Sequence, residues 1–381
     1  MREIILGEWC FMNNKLNIAY RRKAGIELLR ILAVLMVISV HRMGHQTLFS
    51  APQFSVSYYV LWFIEIASYK AVDIFFIISG YFGITQAFKG KKILLLEFKV
   101  LVYCVGFYIL SVLVNFQNFS GRDFLRTLFP YIGGHYWYYT AYISLMILSP
   151  WINKMIRVIK KQNLLLLILT VSGISTISIG DAFFTNDGYS VIWAINLYII
   201  GAYIRLYCRK LPSVKKSLAL TAGCTMFIYI WFVIVGRITQ ILFGHVVFST
   251  HFMVYRQFPV VLGAIFAVIA FVQIDFKEKT AKIINSVSKC TFGVYLIHSC
   301  VFMDTLFWVK LFPSVNASDK AYYWLYVIVS IILMYVVCLI IEMARNKIMS
   351  RIEKSKFFDV LYEKIHKIVH TVVQHVSKIG E

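Results

Sequence analysis

The sequence predicts an all-α membrane protein that crosses the bilayer about ten times. Of its 381 residues, 60% are hydrophobic and 15% are charged, and the mean hydropathy is +0.72. Long apolar runs recur along the whole chain, which is typical of polytopic membrane proteins rather than soluble domains. The segment 56–68 is short and is placed at the outer interface. The predicted spans are 25–44, 71–88, 93–115, 136–156, 163–180, 189–207, 217–236, 258–274, 290–311 and 322–344.

The positive charge predicts which side of the membrane each loop faces. Thirty of the 39 lysines and arginines lie in the two tails, in the alternate loops that ten spans place on one side, or in the helix ends that adjoin them. Cytoplasmic loops carry such an excess, so both termini are predicted to be cytoplasmic. This gives a basic tail at 1–23, a ten-helix membrane domain at 24–345 and a basic amphipathic tail at 346–381.

The net charge of +21 fits loops that meet anionic lipid of the bilayer. Nucleic acid is not expected as a partner, because no basic stripe lies on a soluble domain. The seven cysteines are scattered without a CxxC pair, so neither a disulfide framework nor a metal site is expected. His366, His370 and His375 are interpreted as the polar side of a tail helix that lies on the inner leaflet.

The first predicted span carries ionisable residues, which are costly inside a bilayer and therefore candidates for function. At ~100° per residue, Arg30 and His41 lie about 20° apart around the helix, and Glu27 and His45 share that face. Arg30 and His41 are separated by ~16 Å along the axis. Arg30 is a candidate cation for an anionic ligand, and His41 is a candidate general base. Alternatively, Glu27 and Arg30 pair near the inner surface and the histidines mark the outer boundary.

Three later spans add candidate residues. Asp73 could orient a histidine or a sugar hydroxyl, or could be a solvated helix end. Ser79 and Gly80 favour close helix packing over a nucleophilic serine. The aromatic start of the fourth span, 135–142, is either a membrane belt or a stacking platform for sugar rings. His298 should face the bundle rather than lipid, in a catalytic or a structural role.

Four stretches together resemble the membrane-bound acyltransferase-3 family, the bacterial integral-membrane O-acyltransferases of glycans. GIELLR ends in Arg30, and ten residues separate it from His41. VDIFFIISGYF follows at 72–82, YWYYTAYISLMILSP at 136–150 and YLIH at 295–298. The resemblance covers the chain from about residue 22 to 345.

The resemblance implies a fold and an activity. Acyl-CoA, acetyl-CoA by family default, would be a co-substrate, with no bound cofactor, and the acceptor would be a hydroxyl of a cell-surface polysaccharide or its precursor at the bacterial cytoplasmic membrane. Donor binding would fall to Arg30 and general-base chemistry to His41, with Lys89, Lys91 and Lys92 nearest the CoA phosphates. Further candidates that support the site or contact the acceptor are Glu27, Asp73, Tyr136, Trp137, Tyr139, Tyr142 and His298.

The chain departs from the family pattern in two places. Lysines stand where many members have arginines at the inner edge, which weakens bidentate phosphate recognition. Tyr142 stands where one branch has a glutamate, so an acid would have to be Glu65 or Asp73, or be absent. An acyl-histidine intermediate stays open, and so does succinyl as the acyl group. The alternative function is a transporter or flippase of a glycan or lipid-linked intermediate, for which broken helices and inverted repeats would be expected.

Overall fold

The computed structural model describes residues 23–178, 181–303, 305–313 and 320–379, and this part of the chain is helical, without a strand. The all-α prediction is therefore confirmed. Short helical turns at Met43–Thr47, Val301–Met303 and Thr305–Leu311 connect longer helices. The longer helices are α1 (Ala24–Arg42), α2 (Val56–Ser68), α3 (Ala71–Gly83), α4 (Gly90–Leu113), α5 (Gly121–Leu128), α6 (Trp137–Val158), α7 (Lys161–Ile177), α8 (Val191–Tyr207), α9 (Val214–Phe243), α10 (Phe258–Val272), α11 (Glu278–Ser288), α12 (Thr291–His298), α13 (Tyr323–Glu353) and α14 (Lys356–Ile379).

Several helices are suited to a membrane. In the described residues, α1, α4, α9 and α13 are both long and apolar enough to cross a bilayer. Helices α7, α8 and α10 are apolar but shorter. These features support a multi-pass membrane protein, while ten crossings and two cytoplasmic termini stay predictions.

Helix α1 lies at the centre of the molecule, where it contacts α2, α3, α10, α11, α12 and α13. Its first half contributes Ile26, Leu29 and Ala33 to an apolar core shared with α3, α8 and α10. Its second half contributes Val34 and Ile38 to a second core shared with α2, α12 and α13. One helix therefore contributes to both cores.

The crossing of α3 and α8 depends on two glycines. An ideal Cβ on Gly80 would lie 1.9 Å from the carbonyl oxygen of Tyr198, and one on Gly201 would lie 2.0 Å from that of Ile77. The backbones thus approach more closely than any side chain would permit, as small residues allow between membrane helices. The packing interpretation of Ser79 and Gly80 is supported by this contact.

The predicted ninth span, 290–311, is not one continuous helix. Helix α12 ends at His298, and the segments Glu278–His298 and Val301–Leu311 meet at an angle of 62°. Neither proline nor glycine marks this break in the sequence, so the common signals of helix interruption are missing here. Residue 299 is the C-cap of α12, and its N–H still donates to the Tyr295 carbonyl oxygen at 3.1 Å.

A buried group of charges ties α4, α12 and α13 together. The carboxyl of Glu342, which is 0% exposed, pairs with Lys99 and with Arg345 and accepts a hydrogen bond from the Tyr103 hydroxyl. Gly293 of α12 lies directly against this carboxyl, because a Cβ there would be 2.0 Å from its carbon. Three partners satisfy the buried charge, which would otherwise be strongly destabilising.

We expect Gly80→Ala to destabilise the protein more than Gly106→Ala, a substitution at an exposed position of α4. The new methyl group must push α3 away from α8, and overpacking of this kind costs ~1–3 kcal/mol or more. Thermal unfolding of the detergent-solubilised protein measures the effect. Gly106→Ala in α4 is the matched control, since nothing lies within 4 Å of its Cβ position. Equal melting temperatures for the two variants would contradict the close crossing.

Candidate functional site

Arg30 projects from the first part of α1 toward α3 and α6. Its guanidinium pairs with the carboxyl of Glu27, one turn earlier, and lies 5.9 Å from the centre of the Phe82 ring. It also acts electrostatically on the hydroxyls of Tyr138 and Tyr142. The Arg30 side chain is 28% exposed, whereas that of Glu27 is 6% exposed. A guanidinium has five N–H donors, so the pair with Glu27 leaves it able to bind a further anion.

Two more arginines lie at the end of α3, beyond Phe82. Arg157 donates to the carbonyl oxygen of Ile84 at 2.7 Å, and Arg205 donates to the hydroxyl of Tyr81 at 3.3 Å. Cations are favourable at a helix C-terminus, where the carbonyl groups carry partial negative charge. Neither was predicted as a site residue, although both lie at the predicted cytoplasmic ends of their spans.

The three lysines predicted to meet the donor lie at the start of α4. Lys89 and Lys92 are exposed. Lys91 forms an ion pair with Asp359 of the tail helix α14, a partner that the sequence analysis did not anticipate. Part of the positive charge in this group is therefore already balanced by the tail.

His41 lies at the opposite end of α1, and there it meets the end of α12. The ring centroids of His41 and His298 are 5.0 Å apart. The Ser299 hydroxyl lies between them, 3.2 Å from Nδ1 of His41 and 3.3 Å from Nε2 of His298. Nδ1 of His298 is in turn 2.7 Å from the carbonyl oxygen of Val294. Ser299 directly follows the last residue of α12, and no sequence pattern pointed to it.

Three tyrosines, which we call the tyrosine row, connect the Arg30 end with the His41 end. Tyr142 and Tyr138 stack at 6.1 Å on successive turns of α6. Tyr138 meets Tyr295 of α12 at 5.5 Å, and Tyr295 meets the ring of His298 at 6.2 Å. Tyr142 and Tyr138 are half-buried. The row is a continuous series of ring contacts from Tyr142, near Arg30, to His298, which lies against His41.

A second aromatic group, which we call the aromatic rim, consists of Tyr69, Trp137, Tyr189 and Tyr255. Tyr189 lies 4.6 Å from Trp137 and 4.9 Å from Tyr255, and Tyr69 lies 5.5 Å from Tyr255, measured between ring centroids. Tyr189 is 39% exposed and Trp137 is half-buried, whereas Tyr255 is buried. Rings that are open on one side and anchored on the other can stack against a flat apolar ligand face.

Two buried carboxyl groups lie beside the aromatic rim. Glu65 is 5% exposed and acts electrostatically on Tyr69 and Tyr189. Asp73 is 0% exposed and accepts a hydrogen bond from the indole N–H of Trp193 at 3.4 Å. The second oxygen of each carboxyl, Oε2 of Glu65 and Oδ2 of Asp73, has no hydrogen-bond partner within the described residues. Buried polar atoms of this kind call for a partner such as a ligand hydroxyl.

The other predicted aromatic residues are placed differently from Trp137. Tyr136 is 3% exposed, and its hydroxyl donates to the carbonyl oxygen of Leu296 at 2.9 Å. Tyr139 is fully buried against α12. Both therefore pack inside the bundle rather than forming a platform with Trp137. The side chain of His45 lies outside the described part of the structure, and no group of three metal-ligating residues occurs among the described residues.

Comparison with known families decides what kind of protein carries this geometry. The acyltransferase-3 family profile, described as an acyltransferase domain, matches residues 23–343. The chain belongs to the acyltransferase-3 family. Comparison with the curated proteins and with the solved structures gave no match.

The matched region of this acyltransferase contains both ends of α1, the tyrosine row and the aromatic rim. It begins at the residue before α1 and ends within α13, so the tail helix α14 lies beyond it. Lys91, which pairs with Asp359 of α14, therefore links the family domain to the tail. Membership supports an acyltransferase activity in general, in agreement with the resemblance read from the sequence.

Proposed function

We propose that this acyltransferase moves an acyl group, acetyl in the first instance, from acyl-CoA to a hydroxyl of a cell-surface polysaccharide or its precursor. The bacterial cytoplasmic membrane is its proposed location. One observation carries the proposal: a single helix presents a cation at one end and a histidine at the other, and the tyrosine row joins them. An anion-binding group and a general base on one path are what acyl transfer from an anionic donor needs.

The donor would bind at the Arg30 end. The phosphates of CoA are anionic, and three arginines lie around the end of α3: Arg30, Arg157 and Arg205. Arginine is well suited to phosphate because its planar fork offers several donors at once. The exposed Lys89 and Lys92 would add attraction at the start of α4. The thioester would then extend along the tyrosine row toward His41.

The chemical step would take place at the His41 end. His41 removes the proton from an acceptor hydroxyl as the oxygen attacks the thioester carbonyl carbon. The tetrahedral intermediate collapses with cleavage of the carbon–sulfur bond, and the proton that His41 holds can pass to the departing thiolate of CoA. The products are the ester of the acceptor and free CoA, so atoms and charge balance without a metal or redox partner in the scheme.

The acceptor would bind at the aromatic rim. A sugar ring has an apolar face that stacks on aromatic rings, while its hydroxyls need hydrogen-bond acceptors. The rings of Trp137 and Tyr189 offer the first. The carboxyl groups of Glu65 and Asp73, which are buried beside these rings, would offer the second once the acceptor displaces the side chains that cover them. Trp137 is adjacent in sequence to Tyr138, so the rim lies beside the tyrosine row and close to the proposed chemistry.

A transporter or flippase is the competing function. The break between His298 and Val301 is the observation in its favour, because transporters often bind substrate at broken helices. The break, however, lies directly beside Ser299 and the two histidines, so it fits a reaction site equally well. Measuring ester-linked acetate on the surface glycan of strains with and without the gene separates the two functions.

We expect His41→Ala and Arg30→Ala each to abolish acetylation of the host glycan. Loss of a general base costs ~10²–10⁴-fold in rate, and loss of Arg30 removes the central donor contact. Acetate released by mild alkali from purified glycan measures the activity, and immunoblots of membranes verify that the variants insert. His245→Ala and Arg122→Ala, both exposed in the structure, are the matched controls. Normal acetylation by the His41 variant would refute the mechanism.

We expect Trp137→Ala to raise the KM for the glycan acceptor and to leave the KM for acetyl-CoA unchanged. The substitution removes a ring of the rim but touches none of the arginines at the donor end. Steady-state kinetics in membrane vesicles with labelled acetyl-CoA measure both constants. Trp151→Ala is the control, because Trp151 lies on the same helix and is 64% exposed. A change confined to the KM for acetyl-CoA would contradict this prediction, because Trp137 would then contact the donor and not the acceptor.

A further inference from the structure

We propose that Ser299 and His298 are positioning residues that hold His41 in the one tautomer able to act as the base. The inference rests on the proposed function, since it concerns the proton transfer in acyl transfer. It starts from the chain of contacts that runs from the Val294 carbonyl through His298 and Ser299 to His41.

The proton on His298 is fixed by its neighbours. The carbonyl oxygen of Val294 can only accept a hydrogen bond, so Nδ1 of His298, 2.7 Å away, must carry a hydrogen. The ring is 1% exposed, and a charged imidazolium there would lose its hydration. His298 is therefore neutral, and its Nε2 carries a lone pair that accepts a hydrogen bond.

The direction of the Ser299 hydroxyl hydrogen follows from the neutral state of His298. Its hydroxyl has a single hydrogen, which is donated to Nε2 of His298 over 3.3 Å. The oxygen of Ser299 is left as the acceptor for Nδ1–H of His41 over 3.2 Å. His41 consequently carries its hydrogen on Nδ1 and its lone pair on Nε2.

This assignment matters because the two tautomers of a histidine are not equivalent as bases. A ring with its hydrogen on Nε2 cannot accept a proton at that atom, so a ring free to exchange tautomers spends part of its time inactive. The contact with Ser299 removes that freedom and also fixes the rotation of the ring. When Nε2 takes a proton from the acceptor hydroxyl, the Nδ1–H bond to Ser299 persists, and no proton has to move along the chain.

The end of α12 makes the arrangement geometrically feasible. Ser299 follows directly after α12 and still takes part in its hydrogen bonding, because its N–H donates to the Tyr295 carbonyl oxygen at 3.1 Å. The last turn of α12 therefore places the Ser299 hydroxyl within reach of both its chain neighbour His298 and His41, and the chain changes direction only after this residue.

A nucleophilic serine is the rival explanation of the same distances. A serine within hydrogen-bond reach of a histidine, which is itself oriented by a carbonyl, also resembles a nucleophile and its base. The two explanations differ in outcome. A nucleophile forms an acyl-serine ester, and its removal abolishes transfer, whereas a positioning residue forms no ester, and its removal leaves a residual rate.

The test uses the full-length protein in membranes, with labelled acetyl-CoA and surface glycan extracted from a strain that lacks the gene. We expect Ser299→Ala to lower kcat by ~10-fold or more, a part of what a general base contributes, with an unchanged KM for acetyl-CoA. Ser299→Thr keeps the hydroxyl and should stay close to wild type. His298→Leu should resemble Ser299→Ala, while His298→Gln, whose amide can both donate and accept, should retain most activity.

The double variant Ser299→Ala, His298→Leu gives a further readout. Residues that act as a unit are not additive, so the double variant should be no slower than the slower single variant. Thr291→Val is the structural control. Its hydroxyl donates to the Ser288 carbonyl oxygen at 2.9 Å, at the opposite end of α12 from Ser299. It should leave kcat unchanged.

Three results would overturn the inference while leaving the proposed function intact. These are a wild-type kcat in Ser299→Ala beside an inactive His41→Ala, an equal loss in Thr291→Val, and an acyl adduct on Ser299 in the intact-protein mass. A wild-type protein that transfers no acetyl group would instead refute the proposed function and, with it, the positioning role.

Discussion

Ionisable side chains inside an apolar bundle need polar partners, and α1 carries four of them: Glu27, Arg30, His41 and Arg42. Glu27 and Arg30 satisfy each other across one turn. His41 finds Ser299, and Arg42, which is 0% exposed, donates to the Ser330 hydroxyl of α13 at 3.1 Å. Because these partners come from different helices, satisfying α1 also fixes where α12 and α13 must lie.

The close crossing of α3 and α8 serves the same arrangement from the other side. Gly80 and Gly201 bring the two backbones into contact. This contact fixes the position of α3, so that Phe82 faces Arg30 and Asp73 accepts a hydrogen bond from Trp193 of α8. The buried carboxyl of Glu342 plays a comparable part for α12, since Gly293 packs directly on it. Neither contact touches a proposed substrate, yet each positions an element that carries site residues.

Much of this could be predicted from the sequence where the signal is local. Hydrophobic content gave the all-helical membrane class, and helical spacing placed Glu27, Arg30 and His41 on one face of one helix. Spacing could not separate Trp137 from Tyr136 and Tyr139, since an aromatic helix start does not reveal which neighbours will cover each ring. The structure buries the latter two and leaves Trp137 in the aromatic rim.

The contacts that escaped prediction are all between distant parts of the chain. Ser299 lies 258 positions from His41, and Arg157 lies 73 positions from the Ile84 carbonyl that it contacts. Lys91 likewise meets Asp359 of the tail. Such partners depend on how the helices pack. The break after His298 could not be predicted either, because no proline or glycine lies at that point in the sequence.

A single rigid helix has a mechanistic advantage over two separate elements. Arg30 and His41 are held ~16 Å apart by the rise of α1 alone, so movements of loops do not change that distance. A donor anchored by its charged end would therefore present its acyl group at a constant depth, which favours reaction through a near-attack geometry. The helix does not by itself fix the rotation of the His41 ring, and the contact with Ser299 restrains that rotation.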